Sequence, residues 1–588
     1  MEDEVFLDAA KNGNVEKIQQ LIDKGIDPNI KNNDGWTALM FASRFSGSTS
    51  NIETVRLLIE AGADPNISDG GWTALMMASA NSNRISNNET VKLLIEAGAD
   101  LNIRNEDGRT ALMIASKISN VGSNMETVKM IIEADADLNI QDNDGWTVLM
   151  LASANSNTDS NTETVKMLIE AGADLNTQES DGWTALMLAS ANSNTDSNNE
   201  TVKLLLEAGA DLNIQESDGW TALLLASANS NTDSNTATVK LLLEAGANLN
   251  IQNNDEWTAL MLASRYSNTD SNNETVRLLI EAGANLNDHH IDGWTALMIA
   301  SATSNTDSNI ETVKLLIEAG ANLNIQNNNG WTALMIASAN SNTDSNIETV
   351  ILLVEAGANL NIKNNDGWTA LMLASRYSNT DSNTETVKLL IEAGANLNIQ
   401  NNNGWTALML ASRNSNTDSN IETVIILVEA GANPFDKTSE GKGALEYCSN
   451  QQCKEIISQA IWKQLYQRDL NTAQRYAKSK GLDRDSWSII LLNKRQQQLC
   501  QNLSSSKNRE VLFAFAMEFG MPVKENMTKA QLCGLISRYL VYGKNPTNRP
   551  KQDLNKFADS VKMFAMKNGL DPNKPINQLL KELVEMVE

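Results

Sequence analysis

A block reading Gly-Trp-Thr-Ala-Leu-Met-x-Ala-Ser returns every 37 residues through most of this chain, with occasional exchanges. Its indole stands at Trp36, Trp72, Trp146, Trp183, Trp220, Trp257, Trp294, Trp331, Trp368 and Trp405, and Arg109 takes that place once. Self-similarity at a fixed period of this size marks a stack of small units, each burying its apolar face only against its neighbours. Such a chain presents a long surface and is suited to holding other molecules rather than to chemistry.

One unit, Asp181 to Ser217, sets the expected plan. Thr184 is placed to N-cap a short helix over 185–190, its hydroxyl accepting an unpaired first-turn N–H. A polar loop follows at 192–196. Ser197-Asn198-Asn199-Glu200 then fits a capping box, Ser and Glu three apart before an apolar run, and opens a second helix through Leu206 and Ala208. Gly209 takes the C′ position, where a positive φ is needed. Leu212 to Gly219 is rich in turn formers and forms an extended finger into Trp220.

Helix, turn, helix, C′ glycine and finger resemble the ankyrin repeat, from residue 1 to about 461. The resemblance implies a predominantly α fold, an ankyrin-repeat solenoid that binds proteins on its concave face. Two departures stand out. The family's Thr-Pro-Leu-His is Thr-Ala-Leu-Met here, which removes a histidine that ties neighbouring repeats. The period is 37 rather than 33, and the extra residues fall between the two helices. Residues 1–33 form a polar N-terminal cap, eleven repeats follow, and Ser439 to Ile461 close the array. At about 10 Å per layer, thirteen layers would make a curved rod on the order of 120 Å long.

Charge divides the chain. Residues 1–461 hold 25 Lys and Arg against 61 Asp and Glu, a net of −36, whereas residues 462–588 carry a net of +9. An array this acidic repels nucleic acid and anionic membrane. No signal-type or 18-residue apolar run is present, so the expectation is a monomeric intracellular protein of the cytoplasm, the nucleus not excluded. Cys448, Cys453, Cys500 and Cys533 lie near or beyond the last repeat without metal-ligand spacing or a nearby His, and are expected to be free thiols.

The basic tail, 462–588, carries its own quieter pattern, aromatic-Ala-x-x-x-Gly-Leu/Met, at Tyr476, Phe515 and Phe564. Each copy fits a helix closed by a C′ glycine, so a small all-α domain is expected, with 545–550 as a linker. Its middle unit continues into Thr528-Lys529-Ala530-Gln531-Leu532, which resembles a SAP-type module. That resemblance implies Lys524, Lys529 and Arg538 as nucleic-acid contacts, with packing or partner docking as the plainer role.

Candidate sites sort by whether a residue is copied or singular. The Trp series fits packing of each indole on the next repeat better than a binding ridge. His289 and His290 are adjacent, point to opposite faces of an extended segment and form no metal site. The Asn-Thr-Asp-Ser-Asn loops offer one Asp per layer, too sparse for calcium. No metal, cofactor or catalytic group is expected, since no acid or nucleophile has a unique context. The informative positions are where repeats disagree: after Ala-Ser most have Ala-Asn, but Arg44-Phe45, Arg265-Tyr266 and Arg376-Tyr377 pair a cation with a ring, and Lys117 and Arg413 add charge. In ankyrin arrays these positions face the concave groove, and Arg and Tyr are frequent anchors. The expected function is a protein–protein interaction scaffold gripping its partner through an acidic concave face. Near-identical repeats with long loops resemble the expanded ankyrin families of large DNA viruses and intracellular parasites, which implies a host-directed protein in the host cytoplasm. The other readings are an adaptor recruiting a ubiquitin-ligase component and a nucleic-acid tether through the tail.

Overall fold

The computed structural model describes residues 2–458 except 81–84, 118–121, 156–158, 192–195, 230–232, 266–269, 303–306, 341–343, 377–380 and 416–417, together with scattered positions beyond, chiefly 569–575 and parts of 523–535. The chain divides into two compact units, Met1–Asn328 and Asn329–Glu588. Each repeat in both is a short inner helix, a longer outer helix and a turn-rich finger. The linker expected at 545–550 and the three tail helices lie largely outside the described residues.

The inner helices form because their sequence is almost wholly buriable. Every residue of Ala185-Leu186-Met187-Leu188-Ala189-Ser190 is buried, and so is every residue of the matching stretch 259–264. Ala at the close contacts lets helices stack, while Leu and Met fill the space between; each fully buried Leu or Met contributes about 1.5–3 kcal/mol. Thr opens each helix as expected: the Met187 N–H donates to Thr184 Oγ1 at 3.3 Å, and the same bond recurs at Thr73, Thr147 and Thr406. In two repeats the Met completes a reciprocal box, because the Thr37 and Thr147 N–H groups point at Met40 Sδ and Met150 Sδ, both at 3.4 Å. The Thr-x-x-Met motif is thus the capping device of this array.

The outer helices start earlier than the sequence indicates. They run Asp159–Glu170, Asp196–Glu207, Asp233–Glu244 and so on, so Ser197 and Glu200 lie within the first turns rather than at a cap. Ser197 therefore lies inside the helix rather than ahead of it, and the last three residues of Asn-Thr-Asp-Ser-Asn are helix, not loop. In the first repeat, whose helix is the shorter Ile52–Glu60, Asn51 is the cap and accepts the Thr54 N–H at 2.9 Å. Val202 and Leu205 of the outer helix are fully buried against the inner layer, while Glu200 and Lys203 remain exposed.

The finger supplies the tie that the missing histidine leaves open. Asn139 Oδ1 accepts the Asp174 N–H of the next repeat at 2.8 Å, Asn176 accepts that of Asp211 at 2.8 Å, and Asn213 that of Asn248 at 2.9 Å. Within each repeat the preceding Asp or Asn caps its own turn, as where the Asn176 N–H donates to Asp174 Oδ1 at 2.9 Å. The motif Gly-Ala-Asp/Asn-x-Asn is therefore an inter-repeat ladder. At the finger tip, Gly145 has φ +88° and a Cβ there would stand 2.8 Å from the Ser180 N of the following repeat, so both conformation and close approach demand glycine. The tips are turns with isolated bridges such as Lys31 to Thr37, not strands.

Three of the four cysteines depart from expectation, and Cys500 lies outside the described residues. Cys448 and Cys453 are joined in a disulfide, with Cα atoms 5.5 Å apart, and Cys533 is also disulfide-bonded. The chain turns back between the short helix Ala444–Tyr447 and the helix that follows, which brings the first two into bonding range. Cys453 is completely buried against the last full repeat.

Candidate partner-binding site

The residue that follows Ala-Ser at the end of each inner helix defines a row of equivalent positions. Ala80, Ala154, Ala191, Ala228, Ala302 and Ala339 are half-buried there, whereas Arg44, Lys117, Arg265, Arg376 and Arg413 are exposed. The inner helices of the eleven repeats carry no Asp or Glu, so this row is cationic within an acidic array. The acidic residues of the repeats stand on the outer helices and fingers.

Each arginine of the row lies over the indole that opens its own repeat. The guanidinium carbon is 5.2 Å from the ring centre for Arg44 on Trp36 and Arg265 on Trp257, 5.1 Å for Arg376 on Trp368 and 5.4 Å for Arg413 on Trp405. Such contacts contribute about 0.5–1 kcal/mol at exposed sites. Two sequence features that looked unrelated, the Trp series and the variable position eight residues later, are one device. The signal was present in the spacing, because eight residues across a capped helix is close to two turns. Phe45 adds a second ring in the first repeat, with Arg44 and Lys11 each 5.7 Å from its centre.

The indoles also pack against the following repeat. Trp257 stacks on His290, centroids 4.7 Å apart, and Trp405 meets Tyr447 at 4.2 Å. Where Arg109 replaces Trp, its Nε donates to Asp142 Oδ2 at 3.2 Å, again one repeat on. All ten tryptophans of the series are half-buried, and these contacts support the packing role, with one face left for the arginine where one is present. The polar residue that stands where His290 and Asp142 do also braces its own finger. Asn253, Asn364 and Asn401 accept the N–H of Trp257, Trp368 and Trp405 at 2.8–2.9 Å, and Asp142 and Glu216 do the same for Trp146 and Trp220.

Arg376 and Arg413 occupy consecutive repeats of the second unit, and the Asn414 side chain donates to the Arg376 carbonyl at 2.9 Å. Tyr266 and Tyr377 lie outside the described residues, as do Lys529 and Arg538. Lys524 is exposed; close by, Thr528 and Gln531 form a reciprocal capping box, with Thr528 N–H to Gln531 Oε1 at 2.7 Å. Among the described residues no group of His, Cys, Asp and Glu is arranged to hold a metal, and no helix is long and apolar enough to cross a membrane.

Repeats that stack inner helix on inner helix, with fingers bonded in a ladder, have a known counterpart. A family model described as ankyrin repeats, in three copies, matches eight overlapping stretches: 6–105, 82–179, 112–215, 156–252, 193–288, 228–309, 302–400 and 378–467. The chain belongs to the ankyrin-repeat family. Ankyrin repeats are protein–protein interaction modules, and the family is one of non-catalytic scaffolds. Among solved structures, an ankyrin repeat domain from Acinetobacter baumannii AYE is similar, 33% identical over 36% of this chain and 98% of its own, with a TM-score of 0.31. No curated protein matches the chain.

Proposed function

We propose that this ankyrin array is a scaffold that holds a protein partner on the face where the inner helices end, with Arg376 and Arg413 as anchors. The first unit presents the same device at Arg44 and at Arg265. The observation that carries this reading is the exposed arginine stacked on tryptophan in four repeats, where the equivalent residue elsewhere is a half-buried alanine. Packing does not require the exchange, since six repeats are built with Ala at this position.

Stacking prepares the arginine for binding. The donors of a guanidinium lie in its plane, so resting one face on an indole orients them without consuming them. Part of the side-chain entropy otherwise lost on association is already spent, which improves affinity. A carboxylate or a row of backbone carbonyls on the partner matches this geometry, and the acidic outer helices and fingers disfavour a strongly anionic surface away from the row.

The test uses the full-length chain and its R376A/R413A variant, which restores the alanine of the other repeats. Both are immobilised, retained proteins are identified, and the tightest binder is measured against each. Loss of about tenfold or more in affinity, with no more than the small drop in unfolding midpoint that losing two stacked arginines entails, is the expected result. Equal binding by both would place the partner elsewhere on the array.

A further inference from the structure

Repeats three and four depart from the rest on their outer helices, away from the arginine row. Met125, Met130 and Met167 stand in Gly122–Glu133 and Asp159–Glu170, while the other outer helices have Leu, Ile, Thr or Asn at these places. Between these two helices opens a groove of about 570 Å³ lined by Met125, Ile132, Met167 and Ala171, with Glu126, Glu133, Glu163, Glu170 and Lys129 around it. Met125, Ile132 and Met167 are half-buried, and all four glutamates are exposed.

We infer that this groove docks a basic amphipathic helix. Its floor is apolar and carries two methionines, whose unbranched, polarizable side chains adapt to varied apolar partners. Four carboxylates against one ammonium give the site a net negative charge that complements Lys and Arg. Lys129 and Lys166 do not cancel the acids: each lies at 3.8–3.9 Å from one exposed glutamate, Glu133 and Glu163, in pairs that water screens. A helix laid in such a groove sets apolar residues at i, i+3 and i+4 on the floor and its cations over the glutamates. The glutamates recur in most repeats, but the methionines do not, so the combination of soft floor and acidic rim is local to this pair of helices.

The experiment titrates the full-length chain with a fluorescein-labelled leucine–lysine amphipathic peptide about four helical turns long. Three variants are compared: E126Q/E170Q in the groove, E274Q/E318Q at the equivalent positions four repeats on, and M125Q/M167Q, which keeps side-chain length while making the floor polar. Thermal unfolding confirms that each variant is folded. The expected result is a loss of at least about fivefold for E126Q/E170Q and for M125Q/M167Q, and less than about twofold for E274Q/E318Q. Equal effects of the two glutamate pairs would reduce the binding to general attraction by an acidic array, and unchanged affinity of M125Q/M167Q would do the same. A scrambled peptide of equal charge that binds as tightly also overturns the proposal. So does sedimentation showing that the chain self-associates and that M125Q/M167Q alone does not, because a second copy would then fill the groove.

Discussion

The imidazole of His290 lies on the indole of Trp257, ring centroids 4.7 Å apart and planes 12° from parallel. His290 is buried and its Nδ1 accepts the Asp292 N–H at 3.1 Å, a bond that requires that nitrogen unprotonated. Asn253, Asn364 and Asn401 take this place in other repeats and accept the equivalent N–H without a titratable ring.

Burial lowers the His290 pKa below its ordinary 6.5, with Arg265 and His289 acting in the same direction and Asp292 and Asp255 opposing. The folded chain therefore binds this proton less readily than the unfolded one. Its contribution to stability is complete above about pH 6.5 and is lost as the pH falls below that value. The urea midpoint of the wild-type chain is expected to drop between pH 7.5 and 5.5 more than that of H290N. Parallel curves would show that His290 remains neutral in both states or titrates alike.

Ala237 stands where the other outer helices have Glu. In several of those repeats the Glu pairs with the cation one turn on, as Glu200 with Lys203 at 3.6 Å and Glu385 with Lys388 at 3.4 Å, whereas Lys240 turns to Glu244 at 3.9 Å. Since Ser234 lies inside its helix rather than at the N-cap, A237E is expected to stabilise by only about 0.2–0.5 kcal/mol, and the gain should vanish in high salt. Calorimetry at two ionic strengths checks it; a salt-independent gain near 1 kcal/mol would argue for a cap after all.

Among the described residues two hold positive φ without being glycine, Asp135 at 70° and Glu256 at 63°. Restoring glycine relieves about 1 kcal/mol at each. E256G is expected to gain more, because a Cβ at the matching Gly219 would sit 2.8 Å from the Asn254 N of the next repeat, while one at the position of Asp135, judged from Gly172, meets nothing within 4 Å. Hydrogen exchange in the affected repeats ranks the two; equal protection would mean that the finger has already shifted to admit Glu256.

Arg109 replaces tryptophan and faces an Asp142 carboxylate whose side chain is 1% exposed. Asp142 also accepts the Trp146 N–H at 2.9 Å, so removing the arginine leaves a buried anion with only part of its partners. R109A is expected to cost about 1–3 kcal/mol, and R109A/D142N to recover more than half of it. Additive losses in a double-mutant cycle would show that the pair does not couple.

Much of the inner layer was legible, because Thr-Ala-Leu-Met-x-Ala-Ser combines a cap with a wholly buriable helix whose one internal polar residue can bond its own backbone, as Ser301 Oγ does to the Leu297 carbonyl at 2.7 Å. The outer helices begin two residues before the point that the Ser197–Glu200 spacing indicates. Ser197 and Glu200 satisfy the spacing of a capping box, yet the helix extends back to Asp196, as it does in every repeat with the long loop. The arginines of the row stand out in the sequence as places where copies differ, but only the structure shows each lying over the tryptophan eight residues before it. Cys448 and Cys453 looked like free thiols because no spacing rule signals a pair five residues apart across a reversal of the chain.

The repeat followed from the sequence alone: its period, its helix–helix–finger order and its burial pattern. All of these depend on local spacing that every copy restates. Only the tertiary structure decided which residues of neighbouring repeats meet: the Asn ladder between fingers, Trp257 on His290, Arg109 on Asp142, and the groove between the two methionine-bearing helices. These are contacts between residues more than thirty apart, or side chains brought together by the stacking angle of one layer on the next, and no local pattern encodes that angle.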